Sequence, residues 1–181
     1  WEQGAGRHPI DQALLLLRHT FPEHSFESMC EWPVGQRDAR VLALRRQTIG
    51  DRIEAYAECP ACRNGLEFEL SCDALLSSGA TSAETWTTVE QGGCSLQLRR
   101  PTSRDLAVAM TAADPEQARQ IILSRCVRGE PNDVAAAVWA GADGVALAGR
   151  LGELDPLAEV LIDLRCELCG QQWQAVFDIV T

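Results

Sequence analysis

The sequence predicts an α+β protein: zinc-ribbon-like β-hairpins brought together by a four-cysteine zinc site, with helical segments before and between them. Three observations lead there. Small or apolar residues alternate with charged ones on both sides of Cys59 and Cys62, as Ile53, Ala55, Ala57 and then Leu66, Phe68, Leu70. Period-two alternation flanking a turn with Pro and Gly marks a hairpin with one solvated face. The arrangement returns near the end of the chain. There Val160 to Arg165 leads into Cys166-Glu167-Leu168-Cys169-Gly170, followed by Trp173, Ala175, Phe177 and Ile179 on one side of a second strand. Between and before the hairpins, helical periodicity and helix-start residues recur.

Two Cys-x-x-Cys hairpins supply four soft thiolates, the number a closed tetrahedral zinc site needs. Cys59, Cys62, Cys166 and Cys169 are the expected ligands of one Zn2+ per chain. Short zinc ribbons separate their pairs by roughly 15–20 residues, whereas about a hundred intervene here. A subdomain is therefore expected between the two halves of one site. Two other readings remain: structural cysteines, reduced or disulfide-linked, and a thioredoxin-like redox pair. Against the redox pair, neither motif opens a helix after a strand.

Composition bounds the rest. A chain of 181 residues holds one domain, or one with an insertion. The expected division is an N-terminal helical segment at 1–50 and a zinc-bound hairpin domain at 51–181, with a hairpin-plus-helices subdomain inserted at about 84–155. The formal charge is −10 and every basic residue is Arg. Such a chain lacks an electrostatic footprint for phosphate backbones, so nucleic acid is not an expected ligand. No apolar run approaches the ~20 residues of a membrane span, and no signal peptide is visible. Eight cysteines, four at metal spacing, suit a reducing cytoplasm. The chain starts at Trp1 without Met, so its N-terminus is expected to be trimmed or to lie outside this sequence.

In order, Pro9 and Asp11 suit a first helical turn before Gln12 to His19. Ile10, Ala13, Leu14 and Leu17 form a stripe that Leu15 and Leu16 widen, so this helix is expected to pack on two sides or against a partner. His8, His19 and His24 lack metal spacing and are read as surface or capping residues. Phe26 to Trp32 adds a helical turn ended by Pro33; Gly35 and Gln36 lead into a helix over Arg37 to Thr48, which Gly50 terminates. Arg45 and Arg46 at its end favour the macrodipole, with an acidic partner as the alternative. After the first hairpin, Cys72 to Thr85 reads as a linker.

Thr85 to Glu90 and Cys94 to Arg99 form a third hairpin around Gln91-Gly92-Gly93, with Cys94, Leu96 and Leu98 on one face. Thr102 or Ser103 caps a helix over Leu106 to Ala113. Asp114-Pro115 starts another to about Val127, with Ile121, Ile122 and Cys126 inward, broken by Gly129-Glu130-Pro131-Asn132. Val134 to Trp139 and Val145 to Leu151 are Ala-rich helices, separated or kinked at Gly141 to Gly144, before Asp155-Pro156 turns into the last hairpin. Cys30, Cys72, Cys94 and Cys126 are read as buried small hydrophobes. No Ser/His/Asp set, His-Glu-x-x-His or phosphate loop is present. Four thiolates leave no open coordination position, so the expected zinc is structural and no enzymatic activity is expected.

Three stretches carry a family resemblance. They are Trp32-Pro33-Val34-Gly35-Gln36-Arg37; Leu44 to Glu54 with Cys59-Pro60-Ala61-Cys62 and Leu66-Glu67-Phe68; and Leu98 to Leu106 with Cys166-x-x-Cys169-Gly170-x-x-Trp173 and Phe177-Asp178-Ile179. Together they resemble the T-even-type bacteriophage baseplate hub assembly family of contractile tails and injection systems. The resemblance implies a structural or chaperone-like assembly role in a baseplate, in the bacterial cytoplasm during assembly, with retention in the particle left open. Its implied partners are baseplate hub or other tail proteins, with no nucleic acid, membrane or small-molecule substrate. Members continue beyond the Phe-Asp-Ile segment into a helical region, whereas this chain ends at Thr181. Arg63 stands where the first knuckle commonly has Gly, a departure expected to strain that turn. The alternative function is a zinc-ribbon adaptor in another cytoplasmic complex.

Overall fold

The computed structural model describes residues 6, 8–79, 85–91, 94–129 and 142–179. Among these, helices and small antiparallel sheets mix in an α+β arrangement. Helix α1 (Pro9–Thr20) starts where Pro9 predicts, with the His8 side chain accepting from the Ile10 N–H. It buries Ala13, Leu14 and Leu17, while Leu16 stays half exposed. Helix α2 (Phe26–Cys30) is capped by Ser25, whose hydroxyl accepts from the Ser28 N–H. Met29 joins Leu14 and Leu17 in a small core that Phe21, Phe26, Trp32 and Val41 surround.

Helix α3 (Val34–Thr48) begins three residues earlier than the sequence suggests, so Gly35 and Gln36 lie inside it. Pro33 holds the N-cap position and offers no side-chain cap. The caps come from elsewhere in the chain. The Val34 N–H donates to the Pro101 carbonyl at 2.9 Å, and the Gly35 N–H donates to Asp155 Oδ2 at 3.0 Å. A Cβ at position 35 would collide with the Asp155 carboxylate, which is why a helix-weakening glycine sits here. Arg37 and Asp38 are buried despite their charge: they pair with each other at 2.6 and 3.0 Å, and Arg37 reaches Ser103 Oγ at 3.2 Å. At the other end, Arg45 donates to the Gly50 carbonyl and Arg46 pairs with Asp73, so both arginines bind within the chain.

Strands β1 (Arg52–Glu58) and β2 (Gly65–Ser71) form the first hairpin, with Ile53↔Leu70, Ala55↔Phe68 and Ala57↔Leu66 on its inner face. The expected linker after it is helical at its start: α4 (Cys72–Ser78) follows directly. Ser71 caps it by accepting from the Ala74 N–H, and Asp73 sits in the first turn. Cys72 and Leu75 then bury against Leu42, Ile53 and Leu157, which offsets the low helix propensity of the serines. The remainder of that stretch, at 80–84, lies outside the described residues.

Strands β3 (Thr87–Gln91) and β4 (Cys94–Leu98) pair as expected, with Leu96 and Leu98 buried. Their Gly92-Gly93 turn and the Cys94 side chain are outside the described residues. A third strand, β5 (Val127–Gly129), adds to β4 and was not expected. Helix α5 (Ser103–Ala109) is capped by Thr102 in a reciprocal box with Asp105, and it ends four residues before the expected Ala113. Helix α6 (Pro115–Cys126) starts at its Asp114 cap and buries Leu123 and Cys126, with Ile121 and Ile122 only partly covered. The expected helix at Val134–Trp139 and the break at Glu130–Asn132 fall outside the described residues. Helix α7 (Ala142–Leu154) runs through Gly144 and packs Leu147 and Leu151 on Leu96, Leu98 and Leu123. Strands β6 (Val160–Arg165) and β7 (Gln172–Phe177) complete the chain's second knuckle hairpin.

Candidate metal centre

Each Cys-x-x-Cys occupies the turn of its hairpin, and the two turns are built alike. The Cys59 N–H donates to the Asn64 carbonyl at 2.9 Å, and the Arg63 N–H donates to the Cys59 carbonyl at 2.9 Å. In the second turn the Cys166 N–H donates to Gln171 at 2.8 Å and the Gly170 N–H to Cys166 at 2.9 Å. Donors and acceptors sit at the same offsets from the first cysteine. The fifth residue of each turn takes a left-handed conformation, φ 62° at Arg63 and 75° at Gly170. Glycine adopts that conformation without penalty and arginine does not.

The hairpins meet because their inner faces share one core. Ile53 and Leu70 of the first pack with Val160, Phe177 and Ile179 of the second, over Leu42 and Leu157. This contact brings the turns together. The four Sγ atoms of Cys59, Cys62, Cys166 and Cys169 all lie within 4.8 Å of one another. Cys59 and Cys169 are 3.6 Å apart, as are Cys62 and Cys166. A disulfide requires about 2.05 Å, and all four are free thiols. A tetrahedron of sulfurs at about 2.3 Å from a central zinc has edges of about 3.8 Å. The cluster therefore could hold a metal ion. The first cysteine of each turn is buried and the second faces solvent.

Backbone amides point at the sulfurs. Those of Cys169 and Leu168 hold the Cys166 thiol down at about 7 against the effect of burial. The Asn64 amide draws Cys62 the same way, but burial and the three neighbouring sulfurs push it up to about 12. Crowding thus opposes placing four negative charges together, and a cation among them would relieve that repulsion.

The other sequence candidates lie elsewhere. His8 caps α1, the His19 ring contacts the Leu15 carbonyl at 2.8 Å, and His24 stands edge-on to Trp32. Cys72 and Cys126 are buried and Cys30 is partly buried, each away from the cluster. What sequence reasoning missed is a buried ionic cluster: Asp105 accepts from Arg99 at 2.6 and 3.0 Å and from Arg125 at 2.7 Å. The Thr102-x-x-Asp105 capping box was its visible trace. Burial opposes ionisation of Asp105, but the bonds from Arg99, Thr102 and Arg125 outweigh it and hold the carboxyl well below the usual range.

No helix among the described residues is long and apolar enough to cross a membrane. Comparisons with protein-family models, curated proteins and solved structures returned no match to this chain.

Proposed function

We propose that the four cysteines hold one structural zinc and that the chain is a non-enzymatic structural or assembly component of a contractile phage-tail or injection-system baseplate. The observation that carries the zinc is the convergence of four sulfurs from turns more than a hundred residues apart in sequence. An all-thiolate donor set favours zinc over hard cations and leaves no position for substrate. Bound there, the ion ties the two hairpins into one platform. The baseplate assignment rests on the resemblance of the Trp32–Arg37, Leu44–Glu54 and knuckle motifs. The half-exposed Leu16 on α1 and the net charge of −10 fit a protein partner better than nucleic acid.

Elemental analysis of protein purified without chelator should show one zinc per chain; its absence would remove the metal. Co-expression with hub, spike and wedge proteins encoded nearby, followed by size-exclusion chromatography, should give a stable complex. Elution alone beside every candidate, with salt-sensitive binding to duplex DNA, would replace the baseplate with an adaptor role in another complex.

A further inference from the structure

The cysteine cluster pairs its sulfurs across the two hairpins. Cys169, open to solvent on the second turn, is 3.6 Å from buried Cys59 on the first. Cys62, open to solvent on the first turn, is 3.6 Å from buried Cys166 on the second. Each close pair thus joins one accessible sulfur to one shielded sulfur of the opposite hairpin. This is the layout of an attacked thiol and a resolving thiol. It occurs twice, related by the likeness of the two turns.

We propose that the centre is a redox-exchangeable clamp: hydroperoxide converts the metal-held hairpins into hairpins joined by two cross-linked pairs, Cys59–Cys169 and Cys62–Cys166. The inference rests on the zinc reading above and adds what the site does under oxidation. All four sulfurs are thiolates when they hold the metal, so in each pair the accessible one attacks one peroxide oxygen and the O–O bond breaks. The departing hydroxide takes a proton and leaves as water, and the attacking sulfur becomes a sulfenic acid. The shielded partner then attacks that sulfur, the S–O bond breaks, and a second water leaves as the disulfide forms. Each thiol pair gives up two electrons to one peroxide as its disulfide forms, so the site consumes two peroxides. Disulfide sulfurs are poor ligands, and the cation is freed.

The consequence differs from that of an ordinary oxidised knuckle. Linkage within a turn, Cys59 to Cys62 or Cys166 to Cys169, would free the metal and leave the hairpins untied. Linkage across the turns closes intervals of 110 and 104 residues and preserves the platform. Nothing need move far, because the hairpins are already held together by Ile53, Leu70, Val160 and Phe177.

The test treats the full-length, zinc-containing chain with hydrogen peroxide. Zinc is followed with a chromogenic chelator, and the linkages are read by non-reducing peptide mapping. The expected result is one zinc released per chain, with Cys59–Cys169 and Cys62–Cys166 as the linked peptides. The oxidised chain should keep its Tm in excess EDTA to within a few degrees, whereas the reduced chain should lose it. Linkages confined to each turn, or zinc release with no disulfide, would overturn the proposal. Metal content measured before oxidation separates the two readings. A chain without zinc that still forms the cross-hairpin linkages sinks the zinc assignment and leaves the pairing intact.

Discussion

Arg63 and Gly170 occupy the same place in the two knuckles, and both have positive φ, 62° and 75°. The second turn uses the residue the conformation asks for, and the first does not. A left-handed residue with a Cβ costs roughly 1–2 kcal/mol, while glycine's greater freedom in the unfolded chain returns part of that. Arg63→Gly is therefore expected to stabilise the protein by about 0.5–1 kcal/mol. The Arg63–Glu58 ion pair lost with it is long, at 3.8 Å, and exposed, so it subtracts little. Gly170→Ala should cost about 1 kcal/mol, purely through the backbone, since among the described residues no atom beyond its own chain neighbours lies within 4 Å of the added Cβ. Thermal or urea unfolding of both variants checks the pair; equal and opposite signs are the expectation, and two destabilised variants would contradict it.

The cysteines should divide into two groups by stability. Structural zinc contributes roughly 10–16 kcal/mol of apparent binding free energy in small domains. Cys59→Ser and Cys166→Ser should accordingly lower the Tm steeply and abolish stoichiometric zinc. Cys126→Ala, at a fully buried site outside the cluster, should cost about 1–2 kcal/mol. Unfolding curves of the three variants with and without chelator read this directly. Similar losses in all three would remove the ligand assignment.

Gly35 and Asp155 form a tertiary helix cap across 120 residues of sequence. Gly35→Ala gains about 1 kcal/mol of helix propensity but drives its Cβ into the Asp155 carboxylate, an overpacking worth about 1–3 kcal/mol. Net destabilisation is expected. In an Asp155→Ala background the same substitution should cost less, because the obstructing group is gone. A double-mutant cycle should give a coupling of about 1 kcal/mol or more; additive effects would mean the clash relaxes elsewhere.

The knuckles and their strands were legible because alternation, turn residues and ligand chemistry all act within a few residues. The start of α3 was not, because its caps come from Pro101 and Asp155, and nothing near Pro33 announces them. Likewise β5 is only three residues long and exists because β4 offers an open edge beside the end of α6. Helix α4 was hidden for a different reason: Ser77-Ser78-Gly79 has the composition of a linker, while the Ser71 cap and the two leucines that bury the helix lie just before it. Arg37 and Asp38 are both charged, yet each supplies the other's partner and both go inside. Local signals were readable, and long-range satisfaction of polar groups was not.

Acid should separate two buried carboxylates whose shifts have opposite sign. Asp105, held low by Arg99, Thr102 and Arg125, has a folded pKa below its unfolded value of about 3.9. Its contribution is fully present above that unfolded value and is lost as pH falls towards the folded one. Asp155 is raised by burial, which the Gly35 amide, Arg100 and Arg37 only partly counter and the Asp38 carboxylate reinforces. Its folded state holds the proton more tightly, so its contribution is fullest below about 3.9 and declines as pH rises through the raised value. One oxygen of Asp155 has no hydrogen-bond partner among the described residues, which makes ionisation costly there. Asp105→Asn should therefore cost about 3–5 kcal/mol at pH 7, where it strands two arginines, and measurably less near pH 3, with the rest of the difference lost only as the pH falls further towards the folded value. Asp155→Asn keeps an acceptor for the Gly35 amide and removes the buried charge, so it should be neutral or stabilising at pH 7. That advantage should shrink as the wild-type carboxyl becomes protonated in acid. Urea unfolding of the wild type and both variants across pH 3–7 reads the two slopes. A pH-independent penalty for Asp105→Asn, or an Asp155→Asn advantage that grows in acid, would reverse the signs assigned to these carboxylates.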